Sequence, residues 1–125
     1  MAAEGLTILV IDDDDTVRTV TRRILEHAGF TAVLAADGAT GVELYRANRP
    51  VALVILDMTM PGMDGEQTFE ALQTVDPEVR VLVTSGYAEQ DATDRFAGMG
   101  LSGFIQKPYR PQELLAKIDQ VLSAR

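Results

Sequence analysis

Five short apolar runs punctuate the chain, and between them apolar residues recur every three or four positions. The runs cover residues 6–11, 31–35, 51–56, 79–84 and 104–105, and they are rich in Val, Ile and Leu. A run that is apolar without alternation suits a strand covered on both faces, as in a parallel sheet. Val17, Val20, Ile24 and Ala28 define a first amphipathic helix, capped by Asp14 or Asp15 and stopped by Gly29. A second helix begins at Asp37 and runs to about Asn48 with Val42 and Tyr45 inward, and a third covers residues 66–75 with Phe69 and Leu72 on one side. Residues 89–97 form a poor amphipathic helix with only Ala92, Phe96 and the nearby Met99 to bury, so it is expected to be the least stable element. Pro111 opens a last helix whose stripe is Leu114, Leu115, Ile118, Val121 and Leu122. Strand and helix in alternation imply right-handed crossovers, hence one α/β domain over residues 1–125: a doubly wound five-stranded parallel sheet with helices on both faces.

Composition narrows the function more than the fold. A length of 125 residues suits one domain with a real core, and the absence of cysteine excludes disulfides and thiolate metal sites. A formal net charge of −8 argues against direct nucleic-acid binding and against adhesion to anionic lipid. No apolar stretch is long enough to insert in a membrane, and residues 1–5 do not read as a signal peptide, so a cytoplasmic location is expected. Most acidic residues need no explanation beyond solubility. The run from Asp12 to Asp15 does, because four adjacent carboxylates repel one another.

The parallel sheet supplies that explanation. All strand carboxyl ends share one edge, which gathers Asp12 and Asp13 after the first strand, Asp57 after the third, Ser85 after the fourth and Lys107 after the fifth. Taken singly, each has an ordinary alternative: helix capping for the acidic run, turn chemistry for Asp57 and Ser85, a solvated loop for Lys107. Taken together, three carboxylates at one point call for a cation, and hard oxygen donors suit Mg²⁺ or Mn²⁺. A carboxylate nucleophile (Asp57) beside a metal, a hydroxyl and a lysine makes a site for phosphoryl transfer to Asp57.

These residues carry a family resemblance. The Asp12-Asp13 pair after Ile8-Leu-Val-Ile11, Asp57 followed by Met60-Pro-Gly-Met-Asp-Gly65, Thr84-Ser-Gly-Tyr87 and Phe104-Ile-Gln-Lys107-Pro108 together resemble the receiver domain of two-component response regulators over essentially the whole chain. The resemblance implies a flavodoxin-like strand order 2-1-3-4-5. It implies Asp57 as phosphoacceptor, a metal held by Asp12, Asp13, Asp57 and the backbone carbonyl of Thr59, Ser85 as switch hydroxyl, Phe104 at the aromatic switch position, and Lys107 paired with Asp57 or its phosphoryl group. A cis peptide at Lys107-Pro108 is also expected. The phosphoryl donor would be a histidine kinase or a histidine phosphotransfer protein. An unknown downstream protein would read the face formed by the predicted helix at 89–97, the fifth strand and the last helix. Such a domain is a switch that catalyses its own phosphorylation and dephosphorylation, not an enzyme acting on an external substrate.

Some positions depart from the family pattern. Phe104 lacks the hydroxyl of tyrosine and reads equally well as core, and Tyr109 stands where phenylalanine is commoner, a small change. Thr59 and Tyr87 flank the site and are expected to influence how fast water reaches the phosphoryl group. His27, the only histidine, is read as a surface or helix-end residue with no phosphodonor role. Two rival readings exist. Asp12-Asp-Asp14-Asp-Thr16 fits the D-x-D-x-T opening of haloacid-dehalogenase-like phosphatases, where Asp12 would be the nucleophile and Asp57 would have no task. The other rival is a non-phosphorylated interaction module on the same fold. The chain reads either as a free-standing regulator or as a receiver from a longer protein such as a hybrid histidine kinase.

Overall fold

Each apolar run becomes a strand of a single sheet, and the helices follow in alternation. The computed structural model describes residues 5–58, 65–86 and 102–123. Within them lie β1 (Thr7–Ile11), α1 (Asp15–His27), β2 (Thr31–Ala35), α2 (Gly38–Ala47), β3 (Leu53–Asp57), α3 (Gly65–Val75), β4 (Val81–Ser85), β5 (Gly103–Gln106) and α4 (Pro111–Ser123). The helix expected at 89–97, together with Thr59 and Tyr87, lies outside the described residues. All strand pairs are parallel, in the order β2-β1-β3-β4-β5. This is the doubly wound, flavodoxin-like arrangement that the sequence predicts.

Strand residues divide between two cores by parity, as the two-residue period of a strand requires. Leu9, Ile11, Val54, Leu56, Val81 and Val83 meet Val42 and Tyr45 of α2 and Phe69 and Leu72 of α3. Their neighbours Ile8, Val10, Leu53, Ile55, Leu82 and Ile105 meet Leu25 of α1 and Leu114, Ile118 and Val121 of α4. Phe104 is buried on the α2–α3 side. Both faces of β3 and β4 are covered, which is why neither run alternates with polar residues.

Helix ends are held by local chemistry. The Asp14 carboxylate accepts from the Val17 N–H, and that of Asp37 from the Thr40 N–H, so each satisfies an orphan donor of its helix. At the end of α1, the Phe30 N–H donates to the Leu25 carbonyl and the Gly29 N–H to that of Glu26. Gly29 adopts φ 100°, the left-handed turn such a terminus needs and a side chain would resist. Glu113 accepts from the Arg110 N–H and so secures the start of α4.

The face of α1 differs from the sequence reading. Val20 is 49% exposed, whereas Thr21 and Leu25 are buried. Helical periodicity allows either 17-20-24-28 or 17-21-25-28 as the inward stripe, and hydrophobicity alone favours the first because it contains no hydroxyl. The structure turns Thr21 and Leu25 inward and leaves Val20 out, since Leu25 fills the core and Thr21 finds a polar partner. Ile24 and Ala28 still pack against the same core, as expected. His27 is exposed at the helix end, as expected.

On the amino side of the sheet, α2 and α3 are latched together. The buried Tyr45 donates its hydroxyl to Asp76 at 2.7 Å, and Arg49 lies 3.6 Å from the same carboxylate, with its guanidinium 5.8 Å from the Tyr45 ring centre. The Tyr45 hydroxyl, and then the Glu78 N–H, hold the Asp76 carboxyl below the usual carboxylate range against a smaller effect of burial. Burial and the anionic partner push the Tyr45 phenol up, so it remains a donor throughout the ordinary pH range. Tyr45→Phe keeps the ring but takes one hydrogen bond from a carboxylate that retains Arg49 and the Glu78 N–H, at an expected cost of about 1 kcal/mol in urea unfolding at neutral pH. The contribution of a lowered acid is present above its ordinary value and lost as pH falls through its folded value. The gap between wild type and variant is therefore expected to narrow below roughly pH 4.

Candidate functional site

At the carboxyl edge, β1 and β3 end side by side. Ile11 pairs with Leu56, so Asp12 and Asp57 follow from adjacent strands at the same level. Both are buried, at 3% and 4% exposure, while Asp13 is exposed. One carboxylate oxygen from each of Asp12, Asp13 and Asp57 lies within 4.8 Å of the others. Lys107 completes the cluster from the end of β5, with Nζ 2.8 Å from Asp12 Oδ2 and 3.6 Å from Asp57 Oδ1.

Backbone contacts aim these side chains. Asp12 is fixed at its N–H by the Ala35 carbonyl, while its Oδ1 accepts from the Asp14 N–H at 2.9 Å. Lys107 is tied to β4 by its own N–H, which donates to the Ser85 carbonyl at 2.7 Å. That bond sets Ser85 directly beside the lysine, and its side chain is fully buried at the strand end. The peptide between Lys107 and Pro108 is cis, as expected, and that between Arg49 and Pro50 is cis as well. After Asp57 the chain passes Met58, whose carbonyl accepts from the Gly65 N–H at 3.2 Å. A Cβ on Gly65 would lie 2.7 Å from that carbonyl oxygen, so a glycine is required for α3 to start so close to the site.

The electrostatics are one-sided. Among the described residues three carboxylates gather around one ammonium, a formal excess of two negative charges. Burial draws the Lys107 ammonium down, but the Asp12 hydrogen bond and the Asp57 charge together outweigh it, and its pKa is raised. A lysine so placed stays charged at neutral pH. The remaining excess falls on hard, closely spaced oxygens, two of them in buried residues, which is the donor chemistry a small divalent cation prefers. The residues therefore fit Mg²⁺ or Mn²⁺.

Asp12, Asp13, Asp57, Ser85 and Lys107 are thus brought to one edge, as the topology demands. Phe104 is buried one strand residue from Ile105 and belongs to the core; the Thr59 carbonyl lies outside the described residues. Two features escaped sequence reasoning. Arg18, one turn into α1, donates to the Asp12 carbonyl at 2.7 Å and to the Asp15 carboxylate at 2.8 Å, bracing the acidic loop. The only available signal was its spacing of three from Asp15, which places both on one side of the helix. Tyr109 shares a 3.0 Å hydrogen bond with Thr21 Oγ1, so its hydroxyl is not the small change that the sequence suggested. Burial pushes the Tyr109 phenol up, against the opposing effects of Thr21 and Lys107.

A family model described as the response regulator receiver domain matches residues 8–119. The response regulator MprA of Mycobacterium ulcerans (strain Agy99) is 38% identical over 120 residues, which cover 94% of this chain and 50% of that protein. MprA of Mycobacterium leprae (strain TN) is 36% identical over 119 residues, covering 94% and 51%. The chain therefore spans about half the length of these curated relatives. Among solved structures, a two-component response regulator of the LuxR family from Aurantimonas sp. SI85-9A1 is similar at a TM-score of 0.87 and 29% identity, covering 98% of this chain and 88% of that one. The Vibrio cholerae chemotaxis protein CheY4 matches at 0.89 and 24% identity, covering 94% and 98%, a likeness of fold alone.

Lys107→Met removes the ammonium from two buried carboxylates. Allowing for the partial exposure of Lys107, the expected cost is about 1–3 kcal/mol in urea unfolding without divalent cation. Added Mg²⁺ should recover part of it by binding the folded state. In the wild type this contribution is complete below the ordinary lysine value of about 10.4 and lost as pH rises through the folded value. Beside the site, Thr84 pairs in register with Asp57, and its hydroxyl is buried with no hydrogen-bond partner among the described residues. Thr84→Val removes that unsatisfied group with little change of shape and is expected to raise stability by about 1 kcal/mol in the same assay.

Proposed function

Because this chain belongs to the response regulator receiver domain family, we propose that it accepts a phosphoryl group on Asp57 and signals through the change that follows. The observation that carries this reading is the buried Asp57 carboxylate held within reach of both Lys107 and the Asp12–Asp13 pair. One Asp57 oxygen attacks the phosphorus of a phosphohistidine on a histidine kinase or a histidine phosphotransfer protein. The O–P bond forms as the P–N bond breaks, and the released imidazole takes up a proton. Water later cleaves the acyl phosphate and returns inorganic phosphate and the Asp57 carboxylate. Both steps are catalysed by the domain's own residues, and no external substrate is turned over.

Each residue has a task in this scheme. Asp12, Asp13 and Asp57 would hold Mg²⁺ or Mn²⁺, with the Thr59 carbonyl as the further ligand that the family resemblance implies. When bound, the cation offsets charge on the transferred oxygens. Lys107 leaves Asp12 for the phosphoryl oxygens, a short move given its present distances to the two carboxylates. Ser85 donates its hydroxyl to the same group. Because Lys107 is bonded to the Ser85 carbonyl, motion at either carries to the ends of β4 and β5. Phe104 transmits the change through ring packing, having no hydroxyl to reposition. A downstream protein reads the surface that β5 and α4 provide. Moving such a switch from mostly off to mostly on takes about 5.5 kcal/mol of differential stabilisation. We further propose that residues 1–125 form one receiver domain working in the cytoplasm. Whether a further domain accompanies it in the full protein bears on the output, not on this chemistry.

Incubation with ³²P-labelled acetyl phosphate and Mg²⁺ is expected to label the protein at Asp57. Asp57→Asn and chelation should each abolish the label, while Asp12→Asn should raise the Mg²⁺ concentration that labelling requires. Loss of label in Asp12→Asn with retention in Asp57→Asn would instead indicate the phosphatase-like alternative. No label under any condition would leave the non-phosphorylated interaction module.

A further inference from the structure

The loop that delivers Lys107 crosses an incompletely filled surface. A groove of about 230 Å³ separates α1 from the segment after β5, lined by Val17, Val20 and Thr21 on one side and by Lys107, Pro108 and Tyr109 on the other. Apolar packing beneath Pro108 is therefore partial, and Val20 leaves half its surface in solvent. A polar contact bridges the two sides: the 3.0 Å hydrogen bond between Tyr109 and Thr21, whose residue is 1% exposed.

Following the contacts around yields a closed ring. Asp12 binds Lys107 through its carboxylate, and its carbonyl binds Arg18 of α1. Three residues along α1, Thr21 binds Tyr109, which lies two residues beyond Lys107. The backbone that carries the lysine is thus held on both sides, by the Ser85 carbonyl at the Lys107 N–H and by the Tyr109–Thr21 hydrogen bond just downstream. We infer that Tyr109 and Thr21 are a positioning pair, whose hydrogen bond sets the separation of α1 from the Lys107 loop and so keeps the Lys107 ammonium on Asp12 and within reach of Asp57. This rests on the phosphoacceptor reading only for its kinetic consequence; the placement of the lysine is independent of it. Without the hydroxyl pair, the loop can rise over the groove and the flexible lysine stem samples positions away from both carboxylates.

The test uses the full chain with Tyr109→Phe, Thr21→Val, the double variant and Thr21→Ser. Two quantities are read: the Lys107 Nζ resonance by NMR without phosphodonor, and the initial rate of labelling by acetyl phosphate with Mg²⁺. Tyr109→Phe and Thr21→Val should each move the Nζ signal towards that of solvated lysines and slow labelling about fivefold, the worth of one neutral hydrogen bond. The double variant should lose no more than either single one, because both remove the same contact. Thr21→Ser retains a hydroxyl and should keep the wild-type signal and rate. A wild-type Nζ resonance in both single variants would overturn the inference, and so would losses that multiply in the double variant. If the wild type takes no label at Asp57, the phosphoacceptor reading fails, while the Nζ resonance still decides whether the pair positions the lysine.

Discussion

Asp12 is almost wholly buried and has a lysine on one oxygen, and the remaining geometry of the site is arranged to make that tolerable. Removing a carboxylate from water is costly unless opposite charge and hydrogen bonds replace the solvent. Here the Lys107 ammonium and the Asp14 N–H each take one carboxylate oxygen, while Arg18 braces the Asp12 backbone carbonyl. The second buried carboxylate, Asp57, shares that one ammonium at longer range. The edge is therefore short of positive charge by construction, and a divalent cation or a shift of Lys107 has a ready electrostatic gradient to follow.

The parallel sheet makes this economy of charge possible. A strand paired on both sides has no freedom to slide, because a slip by one residue would exchange its two faces and move every core side chain. Thus β3 presents Asp57 at a fixed height beside Asp12, and β4 and β5 present Ser85 and Lys107 one residue apart in register. Rigid strands supply the position and the segments that follow them supply the chemistry. The same division puts the Tyr45–Asp76 latch at the opposite edge, where it joins α2 to α3 without touching the acidic cluster.

Much of this was written plainly in the chain. The unbroken apolar run before Asp57, the carboxylates after Ile11 and the lysine after Phe104-Ile-Gln are local signals, and parallel topology converts them into one site. What the sequence concealed shares a different character. The inward stripe of α1 could be drawn through Val20 or Thr21, and only three-dimensional packing chooses between them. Thr21 and Tyr109 lie 88 positions apart, so no spacing rule links their hydroxyls. Arg18 reaches a backbone carbonyl, a partner with no identity in sequence. Polar contacts between distant segments are invisible to periodicity, whereas strand order and strand-end chemistry are not.

The lysine that counters Asp12 stands 95 positions after it, just beyond the last strand in the chain. During synthesis, β1 and β3 can be complete while Lys107 has yet to leave the ribosome. Until then Asp12 lacks the ion-pair partner that it has in the folded domain. β5 brings its hydrogen bonds to β4 and the Lys107 charge to the same edge. The ion pair that completes the site joins the first strand to the last, and it can form only once β5 has been made.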